Sequence, residues 1–141
     1  MGYYRNYLGE AFKAKGLYQK AIKNFEEAHN IFIKAYGPNH DDLSITWNNL
    51  GSMWKLTGNY NKSIKYYEKA YKLIFNTFGP AHPNLAGISS NLGGVWYLKR
   101  NYKKAIEYYE KALKIYEEKG DSNFALKMKT NIETIRKREG I

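Results

Sequence analysis

Three asparagines are the residues of this chain best placed to do chemistry, and the chemistry they suit is binding. Asn49, Asn91 and Asn131 recur once per copy of an internal repeat. Each amide offers a donor and an acceptor, so a column of them can hold an extended peptide backbone without reading its side chains. Asparagine is a poor helix former, and its repeated use inside helical patterns needs a reason. Lys13, Lys55 and Lys137 stand beside the column and favour acidic residues or a terminal carboxylate. The same asparagines have a second use, which is to satisfy polar groups buried between helices. The sequence leaves both uses open.

Residues for catalysis are poorly arranged. His29, His40 and His82 lie far apart, and His40 and His82 occupy equivalent loop positions where they brace the chain. There is no cysteine, and no Asp/Glu cluster has metal-ligand spacing. Gly93-Gly94 sits in helical register with Gly9 and Gly51, so it is not a phosphate-cradling loop. The expectation is a protein that is not an enzyme and holds no cofactor and no metal.

The elements that must position the asparagines follow from a period of 42 residues. Leu8-Gly9 returns as Leu50-Gly51 and Leu92-Gly93, Phe12 as Trp54 and Trp96, Phe25 as Tyr67 and Tyr109, and Ala28 as Ala70 and Ala112. Within the second copy Trp47, Leu50, Gly51 and Trp54 fall on one helical face. Gly58-Asn59 breaks that helix. A longer one runs from Tyr60 to Gly79-Pro80, as the first copy runs to Gly37-Pro38. Asp41, Asp42 and Asn84 are the expected N-caps of the helices that follow, and Trp54 and Trp96 the expected core aromatics. No stretch alternates with period two, so no strand is expected. The third copy ends two residues early at Gly120, and Asp121 or Ser122 caps a last helix whose only apolar stripe is Phe124, Met128, Ile132 and Ile135.

Composition narrows the class further. The 141 residues are 43% apolar with a net charge of +10, and the longest apolar runs fall far short of a membrane span. The N-terminus lacks the apolar segment of a secretory signal, and cysteine is absent, so the expected location is the cytoplasm. Basic charge favours acidic partners, nucleic acid among them. Lysines interleaved with glutamates and only four arginines argue against nucleic acid. Tyr3, Tyr4 and Tyr7 leave aromatic surface at the first helix, which suits pairing with a second copy. Met1-Gly2 abuts a repeat directly, which suggests a piece of a longer array.

Trp47-x2-Leu50-Gly51-x2-Trp54 followed by Ser63-x3-Tyr67 and Ala70 resembles the tetratricopeptide repeat signature. Ala21-x3-Phe25 and Ala105-x3-Tyr109 match in the other copies. The period is 42 rather than 34, like the variant found in kinesin light chains. The resemblance implies an all-α, right-handed α-solenoid of antiparallel helix pairs. It would form one domain over 1–141, with repeats at about 2–41, 42–83 and 84–120 and a capping helix over 121–139. It implies a concave groove lined by the first helix of each pair. The family's groove positions fall on Asn6, Glu10 and Lys13, then on Asn48, Asn49, Ser52 and Lys55. In the third copy they fall on Ser90, Asn91, Gly94 and Tyr97, and in the last helix on Thr130, Asn131, Thr134 and Lys137. Ser90, Asn91 and Gly94 bring no charge where the carboxylate-clamp members of the family carry basic residues. The implied role is a scaffold for a protein or peptide ligand of acidic character. The alternatives are a binder of nucleic acid or acidic surfaces, and a self-associating structural module.

Overall fold

The computed structural model describes residues 1–141, which form seven α-helices and no strand. They are α1 (Gly2–Ala14), α2 (Tyr18–Tyr36), α3 (Leu43–Leu56), α4 (Tyr60–Phe78), α5 (Pro83–Leu98), α6 (Tyr102–Glu118) and α7 (Ser122–Glu139). Short and long helices alternate through α6, as the 42-residue register requires. The chain divides into two compact units, Met1–Leu73 and Ile74–Ile141. No helix is long and apolar enough to cross a membrane.

One contact explains the repeated Leu-Gly. A Cβ on Gly9 would lie 2.5 Å from the Phe25 ring, and one on Gly51 would lie 2.7 Å from the Tyr67 ring. In the second unit a Cβ on Gly93 would lie 2.8 Å from the Tyr109 ring. Each copy therefore seats one aromatic of its long helix directly on the backbone of its short helix. Any side chain there would push the pair apart. Phe25, Tyr67 and Tyr109 are buried, as are Ala21, Ser63 and Ala105 one turn earlier. The Ser63 hydroxyl donates to the Gly51 carbonyl at 2.6 Å, which gives the small polar position a partner.

Trp54 and Trp96 are only half-buried, contrary to their expected place in the core. Lys62 lies 4.3 Å from the Trp54 ring centre and Lys104 lies 4.2 Å from that of Trp96. These indoles close the edge of each pair under a lysine, and the smaller ring on the glycine fills its centre.

The helix starts also depart from expectation. Asp42 is the residue before α3, but its side chain makes no capping bond. His40 Nδ1 instead accepts from the Asp42 N–H at 3.3 Å. In the next loop the N-cap of α5 is His82, not Asn84, and its Nδ1 accepts from the Asn84 N–H at 3.1 Å. Each imidazole also stacks on the last aromatic of the preceding helix, His40 on Tyr36 at 4.3 Å and His82 on Phe78 at 4.6 Å. Gly37 and Gly79 precede them at φ +82° and +89°, a turn that only glycine makes without strain. The motif G-P-x-H thus carries the chain from one helix to the next. At α7 the expected cap holds: Asp121 accepts from the Phe124 N–H at 3.4 Å.

His29 supplies a measurable pH dependence. Its Nδ1 accepts from the Trp47 indole N–H at 3.0 Å, so the ring must be neutral. Partial burial, and then the charge of Lys69, hold its pKa below the ordinary 6.5. The unfolded chain therefore takes up this proton more readily than the folded one. The stabilisation is complete above pH 6.5 and is lost as pH falls through the folded value. His29→Phe should remove that dependence. The readout is the urea midpoint of both proteins from neutral to acid pH. A gap between them that stays constant with pH would show that His29 is not the responsible group.

Candidate functional site

In the first unit, Asn6, Glu10 and Lys13 share one face of α1 because they are spaced by four and three residues. Asn48, Asn49, Ser52 and Lys55 are set by the same periodicity on α3. The structure treats these residues differently. Asn6 is buried, with Nδ2 donating to Thr46 Oγ1 at 3.1 Å and Oδ1 accepting from the same hydroxyl at 3.2 Å. Its amide is spent on packing α1 against α3. Asn49 is partly exposed, and its only hydrogen bond is a long one of 3.5 Å to Glu10 Oε1. Asn48 has contacts of its own. Ser52 is partly exposed on this face, and burial pushes the pKa of the Tyr67 phenol up to about 12.

Lys55 is the anomaly of this face. It is half-buried, and it makes neither an ion pair nor a hydrogen bond. Desolvation lowers its pKa, and the neighbouring charge of Lys13 lowers it further. An ammonium robbed of water beside a second ammonium is electrostatically unfavourable unless something negative arrives. Sequence spacing put Lys13 and Lys55 at equivalent positions of successive copies. Their proximity is a product of helix packing.

In the second unit, Ser90, Asn91 and Tyr97 lie partly exposed on α5, with Gly94 between them. A Cβ on Gly94 would reach only the Tyr109 hydroxyl, at 3.8 Å, so this stretch of α5 is an open shelf. Asn91 has contacts of its own. Asn131 is partly exposed on α7, while Thr130, Thr134 and Lys137 are exposed. Thr130 donates to the Leu126 carbonyl at 3.0 Å. The Tyr97 hydroxyl accepts from Arg138 Nη1 at 2.6 Å, which ties α5 to α7. Arg138 is the cation that sequence spacing missed, because its neighbour Lys137 fell on the repeat register. Glu110–Arg136 at 3.0 Å and Glu117–Lys129 at 3.5 Å are exposed pairs between α6 and α7 and add little stability.

His40, Asp41 and Asp42 hold their ligand atoms within 4.8 Å of one another. Two of the three already have local duties. His40 Nδ1 takes the Asp42 N–H, and the Asp42 carboxylate takes the Tyr3 hydroxyl.

Comparison with known proteins places this geometry. The tetratricopeptide repeat profile matches residues 3–73 and 47–118. Among solved structures, BtubC (BKLC) from P. vanneervenii superposes with a TM-score of 0.76 at 20% identity, covering 96% of this chain and 63% of that one. A putative kinesin light chain from Podosopora anserina with nearly identical TPR-like repeats gives 0.84 at 15% identity, covering 96% and 65%. The Sgt2 TPR domain from Aspergillus fumigatus gives 0.74 at 24% identity, covering 99% and 79%. The chain thus spans less than two thirds of the first two, and at such identities the likeness is one of fold. No curated protein matches the sequence.

Proposed function

Because the chain belongs to the tetratricopeptide repeat family, we propose that it is a non-catalytic protein-interaction scaffold that holds an extended acidic peptide against its short helices. We read residues 1–141 as one repeat domain, with copies at about 2–41, 42–83 and 84–120 closed by 121–139. The observation that carries the peptide reading is Lys55, half-buried, unpaired and beside Lys13. A peptide carboxylate would neutralise both ammoniums, and the partly exposed Asn49 is free to take a peptide N–H or carbonyl. Glu10 keeps Asn49 oriented while the site is empty. Ser52, partly exposed on the same face, adds a hydroxyl that can pair with the peptide backbone. In the second unit Asn91, Asn131, Tyr97, Ser90 and Lys137 offer a second polar patch, beside which Arg138 is held on the Tyr97 hydroxyl. Asn6 contributes by fixing α1 on α3.

The test is fluorescence anisotropy with a labelled twelve-residue peptide of alternating Glu and Gly and a free C-terminus. Affinity should be on the order of micromolar, since ordering a flexible ligand costs several kcal/mol. Lys55→Met should weaken binding about tenfold, as expected for loss of a charge-assisted contact, and should leave the melting temperature unchanged or higher. Asn49→Ala with Asn91→Ala should weaken it without unfolding the protein. If the double variant unfolds, the asparagines are structural. If Lys55→Met binds like the parent, the acidic-peptide reading is wrong.

A further inference from the structure

We propose that the exposed lysine row of α4 — Lys62, Lys65, Lys69 and Lys72 — docks an acidic α-helix of a partner protein. The four residues are spaced by three, four and three, so they form one straight stripe about 15 Å long at the helical rise of 1.5 Å. All four are exposed, and none enters an ion pair, although the chain makes such pairs elsewhere. Glu68 is the only acid on α4. A merely solvated face is usually mixed in sign, and the equivalent stripes of this chain are mixed. In α2 the stripe reads Lys20, Lys23, Glu27, Asn30, and in α6 it reads Lys104, Glu107, Lys111, Lys114. Like charges one turn apart destabilise a helix by a few tenths of a kcal/mol per pair, and Glu68, one turn from Lys65 and from Lys72, is the only acid of α4 that can offset it.

The row is also partly pre-set. The Lys62 ammonium rests 4.3 Å from the Trp54 ring centre, and Lys69 lies 5.7 Å from that of Trp47 and 5.6 Å from that of Tyr66. These contacts restrict two long side chains before any partner arrives. Lys62 and Lys69 are seven residues apart, and so are Lys65 and Lys72. That is the period at which two helices lying side by side keep meeting. A partner helix with Glu or Asp at the same period meets the row residue for residue. Single-stranded nucleic acid suits it less well. Binding there relies on open aromatic faces for base stacking, and the Trp47 and Trp54 rings are covered by lysines. The row stands on α4, whereas the peptide reading uses residues of α1 and α3, and it does not depend on that reading.

The probe is a 21-residue helical peptide with blocked ends and Glu at the first and fourth positions of each heptad, titrated into the full chain. Two-dimensional NMR follows the three indole N–H signals, and anisotropy gives the affinity. Trp47 and Trp54 should shift, while Trp96, on α5, should not. Lys65→Glu with Lys72→Glu should reduce affinity about tenfold or more, because juxtaposed like charges are costly. Both residues are exposed and lie on no ring, so the melting temperature should hold. Lys55→Met should leave this affinity unchanged. The proposal is overturned if the charge-reversed protein binds the peptide as well as the parent does. It is equally overturned if Lys55→Met abolishes binding, or if an oligothymidine binds through the row while the peptide does not.

Discussion

Tyr67→Ala is expected to destabilise the protein by about 3–5 kcal/mol, the usual range for removing a fully buried aromatic ring. Tyr67 is 1% exposed, and its ring lies directly on Gly51. No side chain at position 51 can relax into the space, so the void would stay open and its lining would lose its contacts. Tyr67→Phe separates the ring from its hydroxyl. It should cost at most about 1 kcal/mol, the net worth of one hydrogen bond, because the ring stays seated on Gly51. Trp54→Ala removes a larger side chain from the same copy, but one that is half-exposed beneath Lys62. Its cost should fall below that of Tyr67→Ala. Urea unfolding of the three variants checks the order. If Trp54→Ala proved the costlier, the ring on the glycine would not be the centre of the pair.

Deleting residues 121–141 should have a still larger effect on the second unit. Met128, Ile132 and Ile135 of α7 are 1%, 5% and 3% exposed and pack with Ala105, Ile106, Tyr109 and Ala112 of α6. At about 1.5–3 kcal/mol per fully buried apolar side chain, the three together are worth about 5–9 kcal/mol. That is comparable to the whole stability of a typical domain. The truncated chain would also bare an apolar strip along α6, and such strips drive association. Light scattering should show aggregates, and near-ultraviolet circular dichroism should show lost packing around Tyr97, Tyr102 and Tyr109. A monomeric truncation that unfolds at the parent's urea midpoint would mean that α7 is not part of this core.

Much of the architecture was legible in residue order, and the reason is local. Helix ends depend on which residue can adopt the next backbone conformation, so Gly37-Pro38 and Gly79-Pro80 mark the ends of α2 and α4 without reference to the rest of the molecule. Periodicity does the same for faces: Leu50, Gly51 and Ile64 had to point inward, and Lys62, Lys65, Lys69 and Lys72 had to share a stripe. Family membership follows from the same regularities. What register cannot say is which side chain stands opposite which. Asn6 and Asn49 are both polar groove positions by spacing, yet Thr46 happens to face Asn6 and consumes its amide, while Asn49 meets only the tip of Glu10. The histidines, not the expected Asp42 and Asn84, serve the α3 and α5 starts, where Tyr36 and Phe78 offer rings to stack on. Lys55 is depleted of water and feels the charge of Lys13 because α1 packs on α3. Solvation and charge depend on distances across the fold, and those distances exist only once the helices have packed.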